Sequence, residues 1–165
     1  MTVYYLDTSA IIKRYREEKG TDVVDQLIDH PLTGDRFYTS FLSVLELTSG
    51  VMRLTQSNRL KENEAREIIA RFREDLRTHF RVWPIDNDIT TSAVGIVEEY
   101  KLRAADAIHM ATALAIFSAL SGQHPLLVTS DREMLEAVKS SHHGALDPQE
   151  VGSLDRLLQL RASQV

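Results

Sequence analysis

Val3-Tyr4-Tyr5-Leu6-Asp7-Thr8-Ser9-Ala10-Ile11-Ile12-Lys13-Arg14-Tyr15 is the stretch that decides the fold class. Its opening run of β-formers lacks polar alternation, as a strand buried on both faces does. Asp7, Thr8 and Ser9 end that run and are good helix N-caps, so a helix is expected from Ala10 toward the breaker Gly20. Working outward, the same order of strand then helix recurs. Arg36-Phe37-Tyr38-Thr39 reads as a second strand, with Ser40 or Ser43 capping a helix to about Arg53. Residues 22–28 are amphipathic and closed by His30-Pro31. Residues 58–81 carry Ile68, Phe72, Leu76 and Phe80 at i+4 spacing, which predicts one long helix. Val82-Trp83-Pro84-Ile85 suits an edge strand, since Pro cannot donate to a central ladder. Helices are expected over 89–101 and 103–120, a buried strand at Leu126-Leu127-Val128-Thr129, and helices over 133–139 and 154–161. This alternation predicts an α/β three-layer domain with a mainly parallel central sheet. Ligands of such sheets sit beyond the carboxyl ends of the strands, where Asp7 and Asp131 should arrive.

The chain has 165 residues, the size of one domain with one core. With 43% hydrophobic and 26% charged residues it is not disordered, collagenous or a disulfide scaffold. No stretch is long and apolar enough to span a bilayer, and no targeting segment is read at the N-terminus, so a cytoplasmic location with no membrane partner is expected. The absence of cysteine excludes thiolate metal sites and cysteine nucleophiles. A net charge of −5 argues against global capture of nucleic acid, though not against a local basic patch.

Four acids interrupt apolar settings: Asp7 after VYYL, Glu46 inside VLEL, Asp106 inside AADAIHMA and Asp131 after LLVTS. Singly, each has an ordinary explanation, helix capping for a strand-end Asp above all. Brought to one sheet edge they would repel, two carboxylates at about 4 Å by about 4 kcal/mol at an effective dielectric near 20. A cation is then required, and for a carboxylate donor set the expected one is a hard divalent ion, Mg²⁺ or Mn²⁺.

The segments YYLDTSAIIKRY at 4–15, SVLEL at 43–47, LRAADAIHMATAL at 102–114 and LLVTSDREML at 126–135 resemble a PIN-domain ribonuclease of the VapC toxin type. The resemblance covers residues 1–148, closing on GALDP at 144–148, and leaves 149–165 as a C-terminal extension expected to be helical. Met134 stands where such proteins more often carry Phe or Leu. The resemblance implies that Asp7, Glu46, Asp106 and Asp131 form the catalytic, metal-holding quartet. It also implies that Ser9 and Thr129 are accessory hydroxyls that hydrogen-bond the acids or metal-bound water, and that the reaction is metal-dependent hydrolysis of RNA. A cognate antitoxin and a homodimer are the protein partners it implies. The chemistry agrees: a divalent ion acidifies water, clamps phosphate oxygens and offsets charge in an in-line displacement, with no protein nucleophile. That suits a chain without a GxSxG elbow, a Walker loop or a Cys-His pair. Asp7 and Asp106 are the expected direct ligands, with Glu46 and Asp131 completing the set or orienting metal-bound water.

Lys13, Arg14, Arg16 and Arg132 follow the acids and are expected to contact RNA, with Tyr15 and Tyr38 as possible stacking partners that suit core packing equally well. Arg59, Arg66, Arg73 and Arg77 could align as a strip, but Glu62 with Arg66 and Glu67 with Arg71 mark a solvated helix face. His109 shares a helical face with Asp106, and packing is its expected role; His142-His143 reads as a solvated loop. Ile11, Ile12, Leu42 and Val51 are expected to receive an apolar helix of the antitoxin. The alternatives are a housekeeping PIN nuclease of RNA maturation and a catalytically inactive RNA-binding scaffold. An Asp-nucleophile phosphatase would need a second Asp where Ser9 stands.

Overall fold

The computed structural model describes residues 2–120 and 124–162. Strand β1 (Thr2–Leu6) leads into the short helix α1 (Thr8–Ile11), which tightens into a 3-10 turn over Ile12–Arg14. Helix α2 (Thr21–Asp29), strand β2 (Arg36–Ser40), helices α3 (Phe41–Gln56) and α4 (Glu62–Thr78) and strand β3 (Phe80–Trp83) follow. The second half comprises α5 (Asn87–Tyr100), α6 (Ala104–Ala119), β4 (His124–Val128), α7 (Arg132–Ser140), β5 (Gly144–Leu146) and α8 (Ser153–Ala162). The five strands form one sheet in the order β3-β2-β1-β4-β5, every pairing parallel.

Alternation along β1 divides the core. Tyr4 and Leu6 pack with Phe37, Phe72, Leu27 and Leu157 on one face. Val3 and Tyr5 pack with Tyr38, Met110, Ile116 and Met134 on the other. Every residue of β1 is buried, as its unbroken apolar run requires.

Three departures from the expected elements have local causes. The long helix starts at Glu62, where the Lys61 backbone N–H donates to Glu64 at 2.9 Å, and it stops before Phe80. Phe80 instead opens β3 opposite Phe37, so the i+4 apolar spacing overruns the helix end. The edge strand thus begins two residues early and ends before Pro84. Strand β5 lay inside GALDP and is too short to show a period. Its continuation is held where Gly20, at φ +92°, caps α2; a Cβ there would meet the Pro148 carbonyl oxygen at 2.5 Å.

The C-terminal segment is helical as far as Ala162 and shares the core, with Leu157 fully buried. Arg161 inserts beneath α2 and donates to the carbonyls of Gln26 (3.3 Å), Leu27 (3.0 Å) and His30 (3.0 Å). These are orphan acceptors of a helix end. Its guanidinium also meets Asp35 at 3.2 Å, the two side chains being 6% and 1% exposed. Arg161→Ala is therefore expected to destabilise the fold by about 3–5 kcal/mol, because it leaves a buried carboxylate unpaired. Urea denaturation checks this, and Arg161→Lys should not restore the loss, since an ammonium cannot span the same acceptors. Among the described residues no helix is long and apolar enough to cross a membrane.

Candidate active site at the carboxyl edge of the sheet

Parallel pairing of β1 with β4 brings Leu6 beside Val128, so the residues just beyond both strands meet. Asp7 is buried, 3% exposed, and its carboxylate is fully engaged. Oδ1 accepts from the Ala10 backbone N–H (2.9 Å) and the Ser9 hydroxyl (2.8 Å), and Oδ2 accepts from the Thr129 hydroxyl (2.7 Å). The same hydroxyls fasten the β4 exit, since Ser130 N–H donates to Ser9 Oγ at 2.8 Å and Asp131 N–H to Thr129 Oγ1 at 3.0 Å. Asp131 caps α7 by accepting from Met134 N–H at 2.9 Å. Capping is therefore true of both strand-end acids, and it fixes their position rather than exhausting their role.

Glu46 is brought in by α3, whose Ser40 cap directs the helix off β2. Its Oε2 accepts from the Thr8 hydroxyl at 2.5 Å and lies 2.9 Å from His109 Nε2. His109 is buried as its sequence setting implies, but it is not a mere packing residue. The Tyr5 hydroxyl lies 2.8 Å from His109 Nδ1. Burial holds the Tyr5 phenol well above its usual pKa, so it stays a donor toward Nδ1 and leaves the Nε2 proton for Glu46. Spacing signals only that His109 shares a face with Asp106; the link to Glu46 depends on the packing of α6 against α3 and is not legible in sequence. Thr8 carries no sequence signal beyond capping.

The acids differ electrostatically. Burial pushes the Asp7 carboxyl up. Asp106, in the first turn of α6, is pushed up by burial and then by the charges of Asp131, Asp7 and Glu46. Glu46 is pulled down, chiefly by the His109 hydrogen bond. Its pairing thus stabilises the fold above the ordinary carboxyl range, and the benefit is lost as pH falls through the lowered Glu46 value. His109→Phe should return Glu46 toward an ordinary carboxyl value, read by carbon NMR titration.

The four acids are hard oxygen donors of the kind a divalent cation takes. Among the described residues, no three acidic or imidazole side chains are already gathered into a coordinating group.

The basic residues sort unequally. Lys13 is 1% exposed with Nζ 2.6 Å from Glu18. Arg14 clamps Asp75 (2.7 Å), Asp29 (2.8 Å) and Asp25 (3.1 Å). Both sit in the 3-10 turn that folds back onto α2 and α4, so neither is placed to meet RNA, contrary to expectation. Tyr15 donates to Asp75 at 2.7 Å, and Tyr38 packs edge-on against Trp83; both rings are core. Arg66 pairs with Glu62 on an exposed helix face, whereas Arg71 lies over the Tyr15 ring rather than against Glu67. Arg59 falls before α4 and joins Arg16 and Arg53 around a cavity of about 640 Å³ that opens beside Thr8, Ser9 and Glu46. Ile12 and Val51 line that cavity, while Ile11 is wholly buried and cannot receive a partner. Leu42 is half-buried. Arg132 is exposed and borders a second cavity.

Residues 4–139 match the family model described as PIN domain. No curated protein matches significantly. Among solved structures, the chain is similar to a toxin-antitoxin complex from Klebsiella pneumoniae at 22% identity and TM-score 0.61, covering 89% of this chain and 98% of that one. It is likewise similar to FitAcB from Neisseria gonorrhoeae (21%, TM-score 0.61, 88% and 97% covered) and to VapBC-1 from nontypeable Haemophilus influenzae (20%, TM-score 0.58, 90% and 99%).

Proposed function

The chain belongs to the PIN domain family, and from that premise we propose that it is a metal-dependent endoribonuclease, the toxin of a type II toxin and antitoxin pair acting in the cytoplasm. The observation that carries this reading is the meeting of the β1 and β4 exits, where the Thr129 hydroxyl donates to the Asp7 carboxylate and accepts from the Asp131 backbone N–H. Asp7 and Asp106 would hold Mg²⁺ or Mn²⁺, with Glu46 and Asp131 completing the set; the ion supplies Lewis acidity toward the phosphate and lowers the pKa of water. Ser9 and Thr129 hold the Asp7 carboxylate in one orientation. His109 and Thr8 do the same for Glu46, which keeps it ionised. Arg16, Arg53 and Arg59 offer cations to the strand entering beside Glu46. In this reading residues 1–148 are the nuclease unit, 149–165 brace it, and the working form is a homodimer.

The antitoxin proposal is supported by fold likeness to the toxin-antitoxin complex from Klebsiella pneumoniae, and by the partly apolar cavity floor of Ile12, Leu47 and Val51 beside Thr8, Ser9 and Glu46. Growth on induction in a bacterial host tests it. Arrest is expected when the wild-type chain is made alone and not when the product of the neighbouring reading frame is made with it, while Asp7→Asn is harmless in both settings. Normal growth at high expression of the wild-type chain would favour a housekeeping nuclease of RNA maturation.

A further inference from the structure

Beyond the acids, the carboxyl edge of the sheet holds a second cavity of about 360 Å³ bordered by Lys19, Arg132, Lys139 and Arg156. The elements that supply them are far apart in sequence: the loop before α2, the first and last turns of α7, and α8. Its acidic side chains are Asp147 and Glu150. Asp147 is occupied by the Ser130 hydroxyl (3.0 Å) and the Gln149 backbone N–H (2.8 Å), and Glu150 pairs with Arg156 at 3.6 Å. Lys19, Arg132 and Lys139 form no ion pair among the described residues. With Glu150 paired to Arg156, the lining keeps three cations against the single carboxylate of Asp147, a local positive excess in a chain of net charge −5. They repel one another and gain from a shared anion. Two of its lining residues, Ser130 and Arg132, are the chain neighbours of Asp131.

We infer that this cavity is a phosphate subsite that holds the backbone of the RNA strand next to the nucleotide being cut. The inference rests on the nuclease reading and adds to it a location, a ligand chemistry and a use for α8, which lies outside the matched family region. Phosphate contacts position a strand without reading its bases, so the subsite raises affinity and sets register. A single-stranded RNA fits better than an acidic peptide, since a strand with one phosphate at the acids carries further phosphates to either side, and Arg132 directly follows Asp131 in the chain.

The test is binding, which does not depend on turnover. In the Asp7→Asn protein, fluorescence anisotropy measures the Kd for a fluorescein-labelled single-stranded RNA of about 20 nucleotides across a salt series. Lys19→Ala, Lys139→Ala and Arg156→Ala together should weaken binding about tenfold or more and flatten the slope of log K against log salt by about 2. Lys139→Glu alone serves as a second variant, with unchanged circular dichroism melting required of both. Arg132 is left intact because it adjoins Asp131. Binding within twofold of the parent in both variants, or no RNA binding by the parent, overturns the subsite. If wild-type protein cleaves RNA and the variants bind normally, the subsite fails alone. If wild-type protein cleaves no RNA yet the variants lose binding, the subsite stands and the nuclease reading falls.

Discussion

Asp7→Asn and Asp106→Asn should each reduce RNA cleavage about a thousandfold or more, a loss of about 4 kcal/mol of transition-state stabilisation. Both substitutions keep side-chain volume and remove the charge that would hold a divalent ion. Their structural consequences differ. Asp7 accepts from Ser9, Thr129 and the Ala10 backbone, so an amide there leaves at least one donor unmatched and costs some stability. Among the described residues no hydrogen bond of that kind engages Asp106, whose carboxyl is pushed up by burial and then by the charges of Asp131, Asp7 and Glu46. Asp106→Asn should therefore fold as well as the wild type and still be inactive. Single-turnover cleavage beside a thermal melt separates the two effects, and retained turnover in the Asp106 variant would place the chemistry elsewhere.

The second large effect is stabilisation by the ion. Asp7 and Asp106 have raised pKa values in the fold, so the folded chain binds protons more tightly at these sites than the unfolded chain does. Their contribution to stability falls as pH rises from the ordinary carboxyl value through the raised ones, and the loss is complete above them. A divalent ion reverses this by favouring the charged forms. At a concentration of 100 Kd it adds about 2.7 kcal/mol, which for a chain of this size raises Tm by about 5–10 °C at neutral pH. The shift should shrink as pH falls into the carboxyl range, and it should vanish in Asp106→Asn, whose ion-free Tm at neutral pH should exceed that of the wild type. Differential scanning fluorimetry with Mn²⁺ and Mg²⁺ reads all of these. An equal shift in the variant would mean that the ion binds elsewhere.

Strand β1 and the α6 segment were legible because their apolar runs are interrupted only where the chain leaves the sheet edge or meets the site. Asp7 could be placed from sequence, since a strand end and a helix cap both demand the same position. Ser9 and Thr129 were expected from the family resemblance alone, and both hydroxyls donate to the Asp7 carboxylate. The fates of Lys13 and Arg14 were not. A 3-10 turn replaces helix after Ile11, and its tighter winding directs those side chains toward Glu18 and Asp75. The role of His109 was hidden for a similar reason, because Tyr5 and Glu46 reach it only through tertiary packing across 104 and 63 residues of sequence. Arg161 gave no signal at all, since nothing in a C-terminal helix announces that a neighbouring helix end lacks donors.

The most direct test of the account is cleavage of RNA by purified wild-type protein with Mg²⁺ or Mn²⁺, with EDTA, and with EDTA followed by excess metal, beside Asp7→Asn from the same preparation. Cleavage that needs the ion, returns with it, is absent in the variant and leaves 5′-phosphate and 3′-hydroxyl ends is the predicted result. Cleavage indifferent to EDTA, or products ending in 2′,3′-cyclic phosphate, would contradict it.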